Sequence, residues 1–199
     1  MLLGTTCAAC DRRSASGAAV CGRCAADLSL PPSLAVPLGL DSCTSLLGYD
    51  DVARALLTSL KNGNRRDLVG WVADGLVGRI PLPVLAVVTW APTSAARRRR
   101  RGFDQAELLA RALARRWELP CRPLLRRRPG PPQAGRSGLD RRRNPGFTAI
   151  RPVPLGVVLV DDIATTGATL TAAARALRGA GAADVRAVVA ARARRPPGH

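Results

Sequence analysis

Residues 157–169, VVLVDDIATTGAT, constrain the fold more than any other part of the chain. Apolar, strand-favouring residues lead into two adjacent carboxylates, then a short turn of small and hydroxyl residues, then an Ala- and Leu-rich stretch typical of a helix. A helix that follows such a loop presents backbone N–H groups at its N-terminus, where the helix dipole also attracts anions. The pattern therefore predicts a buried strand, a phosphate-binding loop and a helix within an α/β fold.

The residues that follow this strand are suited to bind a phosphosugar. The threonine hydroxyls can donate hydrogen bonds to an anion, and the glycine allows close approach of the backbone or a positive φ. The two aspartates can accept hydrogen bonds from sugar hydroxyls or help to hold a divalent cation. A structural turn with a solvated acid pair is the competing interpretation, but paired acids at the end of a buried strand are costly without a ligand. The candidate binding residues are Asp161, Asp162, Ala164, Thr165, Thr166, Gly167, Ala168 and Thr169.

The composition favours one α/β domain with a small appendage. A hydrophobic fraction of 47% in 199 residues suffices for a core, which must be built from Val, Leu and Ala because aromatic residues make up only 3%. The net charge is +17 and every basic residue except Lys61 is an arginine. Such a surface attracts polyanions, so nucleic acid is a candidate partner. The scarcity of aromatic residues argues against base stacking as the main mode of binding single strands.

The sequence also predicts where the protein resides. It contains no run of about 18 uncharged apolar residues, the length a membrane-spanning helix requires. The N-terminal residues, MLLGTTCAAC, lack a basic region ahead of a long apolar stretch and therefore do not resemble a signal peptide. We expect a cytoplasmic protein with no membrane insertion.

The N-terminal segment carries two CxxC pairs separated by ten residues, formed by Cys7, Cys10, Cys21 and Cys24. Two such pairs can place four thiolates tetrahedrally around Zn²⁺, and the segment has few apolar residues with which to form a core. Disulfides suit a cytoplasmic chain less well, and a redox CxxC pair would stand beside a βαβ pattern. The spacing favours a structural zinc site with no open coordination position. Cys43 and Cys121 are expected to be small buried residues.

Hydrophobic periodicity and turn residues divide the remaining chain. We predict a zinc knuckle and linker over residues 1–40 and an α/β domain over residues 41–195. Residues 97–101, five consecutive arginines, are predicted to form a mobile cationic loop, with a solvated charge run as the alternative. A Pro/Gly/Arg-rich segment at about 126–148 is predicted to be a flexible loop. Helices are predicted at 50–60, 67–79, 105–116 and 169–178, and strands at 84–90, 120–125, 155–160 and 185–190.

Residues 157–169 resemble the PRPP-binding signature of type I phosphoribosyltransferases. In that family the two acids bind the ribose 2- and 3-hydroxyls, and the Thr/Gly loop wraps the 5-phosphate. The resemblance implies a mainly parallel sheet flanked by helices, with PRPP or a related phosphosugar and Mg²⁺ as ligands.

Several further motifs resemble those of the ComF family, competence-associated proteins with a phosphoribosyltransferase-type domain behind an N-terminal zinc ribbon. They are the four-cysteine knuckle, Tyr49, Lys61-Asn62-Gly63, Arg101-Gly102-Phe103-Asp104-Gln105, Pro132-Gln133, Leu139, Arg142-Arg143-Asn144 and the PRPP-type signature. This resemblance implies a link to DNA uptake, with single-stranded DNA and a competence helicase as partners. It implies no particular nucleobase acceptor.

The chain departs from the ComF pattern at three places. Asp104 stands where the family usually has Asn, Ala91-Pro92-Thr93 stands where it has Pro-x-Pro, and the cysteine set is reduced to one knuckle. We expect the charge of Asp104, beside the arginine block, to weaken an anion contact there.

If the protein is a transferase, the resemblance implies that Asp161, Asp162 and Arg101 carry the reaction. Cations near the departing pyrophosphate matter most, because the transition state resembles an oxocarbenium ion. Besides Mg²⁺, the candidates are Arg97, Arg98, Arg101, Arg142, Arg143 and Lys61, the last with an ordinary surface position as the alternative. Two non-enzymatic alternatives remain: a phosphosugar-binding protein without turnover, and a DNA-uptake adaptor.

Overall fold

The structure, a computed structural model, describes residues 6–14, 17–62, 65–80, 82, 86–128 and 146–193. Its strands are β1 (Ser42–Gly48), β2 (Ala86–Trp90), β3 (Leu125–Arg127), β4 (Phe147–Ala149), β5 (Gly156–Ala164) and β6 (Asp184–Arg192). Its helices are α1 (Gly22–Ala26), α2 (Asp51–Asn62), α3 (Asp67–Leu76), α4 (Ala95–Arg101), α5 (Gln105–Arg116) and α6 (Ala168–Arg178).

Four strands form a parallel sheet in the order β1–β6–β5–β2, while β3 and β4 pair as a separate antiparallel ribbon. The central strands are apolar and buried on both faces, as parallel sheets covered by helices require. In β5, Val158 and Val160 face α2, α3 and α5, whereas Val157 and Leu159 face α6 and the ribbon. The predicted α/β fold, a mainly parallel sheet flanked by helices, is confirmed.

Strand β5, which bears the predicted acid pair, and its neighbour β6 are longer than the sequence suggested. Strand β5 continues to Ala164 instead of ending at Val160, and β6 continues to Arg192. Their parallel pairing persists through Ala164 and Arg192, which explains the extra length. Asp161 and Asp162 therefore lie within the last residues of a hydrogen-bonded strand, which restricts their backbone.

The other elements agree with their predicted bounds to different degrees. Helix α5 matches its prediction, α2 extends two residues further, and α3 is three residues shorter than expected. The strand predicted at 120–125 is reduced to a single bridge between Cys121 and Val88, and β3 begins only at Leu125. The predicted long loop begins and ends in the β3–β4 ribbon, and residues 129–145 lie outside the described part of the chain. Strands β1 and β4 were not predicted.

The prediction that residues 97–101 form a loop is wrong, because they belong to helix α4. Arginine has a good helix propensity, and a helix can hold several arginines if they face solvent. Ser94 caps the helix by accepting a hydrogen bond from Arg97 N at 3.3 Å, and Gly102 ends it with a φ of 77°. The arginines therefore project from a regular scaffold that follows β2.

The N-terminal segment packs against the α/β core. Cys7 and Cys24 are buried in the same apolar cluster as α2 and α3, and Ser59 Oγ of α2 donates to Ala8 O at 2.7 Å. The domain division at residue 40 stays a prediction. None of the helices in the described ranges is long and apolar enough to cross a bilayer.

Residues 29–40, here called the strap, run from this segment to β1. Ser29 N donates to Asp50 Oδ2 at 2.7 Å, and its carbonyl accepts from Gly48 N at 3.0 Å. Further along, the carbonyl oxygens of Leu34 and Ala35 accept from the buried guanidinium of Arg192 at the end of β6. The strap is thereby fixed to the carboxyl end of the sheet, the end that bears the predicted ligand site.

Candidate phosphosugar site

An open cleft with a volume of about 750 Å³ lies at the carboxyl ends of β2 and β5. Ligands of open α/β sheets bind at this end of the strands, because loops and helix N-termini converge there. The cleft is lined by Tyr49, Lys61, Ala91, Pro92, Thr93, Ser94, Ala95, Arg97, Arg100, Arg101, Asp104, Gln105, Ala106, Arg127, Arg128, Asp161, Asp162, Ile163, Thr165 and Thr169.

The acid pair forms the floor of this cleft. Asp161 is 9% exposed, and its Oδ1 accepts from Asp162 N at 2.8 Å, while Asp162 Oδ1 accepts from Ile163 N at 2.8 Å. Burial, and then the charge of Asp162, raise the pKa of Asp161 well above its ordinary value. In the unliganded protein Asp161 therefore holds its proton to a higher pH than an exposed aspartate does.

Lys61 reaches the acid pair from the last turn of α2. Its Nζ lies 2.7 Å from Asp162 Oδ2, and each side chain is only 21% exposed. The chain's single lysine is thus part of the cleft, not of a remote surface. The only sequence signal for this position is weak: a Lys in a chain that otherwise uses Arg.

The loop between β5 and α6 borders the cleft, as its sequence suggested. Thr165 and Thr169 line the cleft, whereas Ala164, Thr166, Gly167 and Ala168 do not. Gly167 has a φ of 74° at the N-cap of α6, a conformation that favours glycine. A Cβ added at Gly167 would lie 3.0 Å from Pro37 Cγ, so the strap closely covers the loop at this residue.

Arginine side chains line the cleft opposite the acids. Arg97, Arg100 and Arg101 come from α4, and Arg127 and Arg128 come from the end of the β3–β4 ribbon. Burial lowers the pKa of both Arg101 and Arg127, so their charges are partly desolvated. The predicted cation Arg98 does not line the cleft and lies 3.5 Å from Glu107. Arg142 and Arg143 lie outside the described residues.

Asp104 has a structural task that the sequence did not reveal. It is buried, and its carboxylate oxygens accept from Thr93 N at 2.8 Å and from Ala106 N at 3.1 Å, which caps α5. Burial raises the pKa of Asp104 above its ordinary value. The expected weakening of an anion contact by this residue stays a prediction.

Comparison with known proteins agrees with this geometry. The family model of the phosphoribosyl transferase domain matches residues 153–199, a span that holds β5, α6, β6 and the acid pair. Residues 153–199 are therefore similar to part of the phosphoribosyl transferase domain. No curated protein matches the sequence significantly. The ComF resemblance stays a prediction.

The four N-terminal cysteines form a candidate metal centre. Their Sγ atoms all lie within 4.8 Å of one another, and those of Cys10 and Cys21 are 3.9 Å apart. Tetrahedral zinc with Zn–S bonds of about 2.3 Å requires sulfurs roughly 3.8 Å apart. The residues therefore fit a structural Zn²⁺ with four thiolate ligands.

The thiols of this centre differ in acidity. Burial acts to raise the pKa of Cys7, but hydrogen bonds from the backbone of Cys21, Ala9 and Cys10 bring it down to about 6. Burial and the neighbouring sulfurs raise the pKa of Cys24 to about 12. Cys7 thus offers a ready thiolate for the metal, and zinc binding must displace a proton from Cys24.

Replacing Asp161 with Asn is expected to stabilise the unliganded protein. The pKa of Asp161 is raised in the folded state, so its contribution to stability is greatest below the ordinary aspartate pKa and declines as pH rises towards the raised value. Asp161→Asn removes this penalty and should raise Tm by about 2–8 °C at about pH 8, with a smaller gain at about pH 6. Thermal unfolding of the variant and the wild type at both pH values tests this. A variant whose Tm at about pH 8 is lower than that of the wild type would contradict the prediction.

Proposed function

We propose that this protein binds PRPP in the cleft and acts as a phosphoribosyltransferase-like protein of the ComF type. One observation carries the proposal: an acid pair, a hydroxyl-bearing helix N-terminus and a wall of arginines border the same cleft. These three groups match the parts of PRPP, whose ribose hydroxyls, 5-phosphate and diphosphate need acceptors, donors and cations respectively.

In this arrangement the 5-phosphate binds the loop from Thr165 to Thr169, through backbone N–H groups of α6 and threonine hydroxyls. Asp161 and Asp162 accept hydrogen bonds from the ribose hydroxyls. The diphosphate extends towards Arg97 and Arg101, whose charges stabilise it as it departs. This distribution of charge favours an oxocarbenium-like transition state, because carboxylates lie under the sugar and cations face the leaving group.

The acid pair also fits a divalent cation. Asp162 already holds a cationic group, Lys61 Nζ, in the unliganded protein, so this end of the cleft accepts positive charge. Asp161 and Asp162 would hold Mg²⁺, which would offset the negative charge that develops on the departing pyrophosphate.

The proposal is tested by titrating PRPP with Mg²⁺ into the zinc-loaded protein in a calorimeter. We expect binding of one PRPP per chain with a Kd in the range typical of enzyme substrates, about 1 µM to 1 mM. A screen of nucleobases for release of pyrophosphate then tests for turnover. Absence of PRPP binding at millimolar concentration would refute the proposed function.

Substitution of Lys61 by Gln is expected to weaken PRPP binding about tenfold. In the unliganded cleft Lys61 pairs with Asp162, and on binding its ammonium group can turn to an anionic oxygen of the ligand. The loss should grow as Mg²⁺ is reduced, because fewer cations then remain in the cleft. Calorimetric titrations at high and low Mg²⁺ measure it.

Lys61→Arg is the matched control, because it keeps the charge and changes the shape of the donor. It should lose less affinity than Lys61→Gln. Tighter binding by Lys61→Gln would instead mean that the lysine only blocks Asp162.

A second candidate function, a DNA-uptake adaptor that binds single-stranded DNA and a helicase partner, is favoured by one observation. Residues 95–100 of α4 are all exposed, and four of them are arginines. Such a helix can track phosphates without reading bases, and its binding should weaken steeply with salt. In this function the protein works with a competence helicase in the cytoplasm, and its zinc knuckle docks the partner.

A further inference from the structure

Two buried hydrogen-bond donors in the wall of the cleft find no acceptor among the described residues. They are Gln105 Nε2 and Arg101 Nε, and the side chain of Gln105 is only 2% exposed. A buried donor without an acceptor costs free energy, since water no longer solvates it. Both residues line the cleft, so the unmet donors lie beside the space that a ligand would fill.

The orientation of the Gln105 amide follows from its neighbour. Arg101 Nη1 donates to Gln105 Oε1 at 3.1 Å, which fixes the oxygen towards the guanidinium and leaves the amide nitrogen as the free donor. The nearby carboxylate of Asp104 is already engaged by two backbone N–H groups. The local structure therefore holds Gln105 and Arg101 as a pair with spare donors.

The surroundings define which acceptor would complete this pair. Arg97 and Arg100 line the same side of the cleft, so its potential favours an anionic oxygen over a neutral carbonyl. Within PRPP, the diphosphate is the anionic group not assigned to the loop at the start of α6. We propose that Gln105, positioned by Arg101, donates a hydrogen bond to an oxygen of the diphosphate. The site thereby selects a sugar that carries a diphosphate at C1 over ribose 5-phosphate, which lacks it. This inference rests on the proposed function.

Calorimetric titration of the zinc-loaded full chain with PRPP and with ribose 5-phosphate, both with Mg²⁺, tests the inference. Gln105→Glu keeps the oxygen that accepts from Arg101 and removes the donor, and Gln105→Met keeps the length of the side chain and removes both. Each should weaken PRPP binding by about 10- to 100-fold and leave ribose 5-phosphate binding unchanged. Glu107→Gln, two residues further along α5 and outside the cleft lining, is the control and should bind both ligands as the wild type does.

Thermal unfolding separates this role from a structural one. Since the wild type buries an unmet donor, Gln105→Met should unfold at the same temperature or higher; a structural role predicts a lower Tm and weaker binding of both sugars. If both Gln105 variants bind PRPP as tightly as the wild type does, the inference is wrong but the proposed function stands. The same conclusion follows if the wild type binds PRPP and ribose 5-phosphate with equal affinity. A wild type that binds neither sugar overturns the proposed function, and the inference with it. If Gln105→Met does not fold, Gln105→Glu carries the test.

Discussion

Replacing both cleft carboxylates, Asp161→Asn with Asp162→Asn, is expected to weaken binding of PRPP with Mg²⁺ by at least about 100-fold. Each carboxylate offers a charge-assisted hydrogen bond to a ribose hydroxyl, and an amide can offer only a neutral one. The fold should persist, because Asp161 is destabilising when ionised and an amide of the same shape keeps the backbone contact from Asp162 N. Calorimetric titration beside the wild type measures the loss.

The matched control is Asp51→Asn with Asp74→Asn, which changes the net charge equally at two exposed ion pairs whose carboxylates do not line the cleft. It should bind PRPP as the wild type does. A filter-binding assay with single-stranded DNA separates the two candidate functions. An electrostatic DNA binder keeps or gains DNA affinity in both double variants, whereas only the cleft variant loses PRPP. Equal PRPP affinity in the two double variants would contradict the proposed site.

Removal of two thiolates from the candidate metal centre, Cys7→Ser with Cys24→Ser, is expected to abolish zinc binding and to lower Tm by about 10 °C or more. This corresponds to a loss of about 3–5 kcal/mol in a chain of this size. Both side chains are buried against the core that contains α2 and α3, so the knuckle cannot unravel without exposing apolar surface. Metal analysis of the purified protein and thermal unfolding measure the two effects.

Cys43→Ser serves as the control, because Cys43 lies outside the four-sulfur cluster. It should retain one zinc per chain. The disulfide alternative predicts a different sensitivity: a reductant, and not a chelator, would then lower Tm. That result, together with protein that contains no zinc when purified, would refute the metal centre.

The sequence predicted local units well and long-range contacts poorly. Residues 157–169 could be interpreted because strand, loop and helix are adjacent and each has a clear composition. Strand β1 was missed because Ser42, Thr44 and Ser45 give it the polarity of a loop, and its pairing partner, β6, is more than a hundred residues away.

The arginine block and the candidate site show the same contrast between local and long-range features. The charge of residues 97–101 favours a loop when considered alone, although that charge requires solvent exposure and not disorder, and a helix provides the exposure. The acid pair was predicted from its own segment. The contact of Lys61 with Asp162 depends on how α2 lies against the end of β5, which no local pattern encodes. The contact of Gln105 with Arg101 spans four residues but depends on the shape of the turn between α4 and α5.

The contacts of the strap imply an order in which parts of this protein fold during synthesis on the ribosome. The knuckle is synthesised before the sheet and could bind zinc first, because its four candidate ligands lie within 18 residues of one another. The later part of the strap cannot be fixed then, since Arg192, which holds Leu34 and Ala35, lies 158 residues beyond Leu34. The loop around Gly167, which Pro37 covers, also emerges late. Nascent chains should therefore carry a folded metal centre well before they can recognise a ligand.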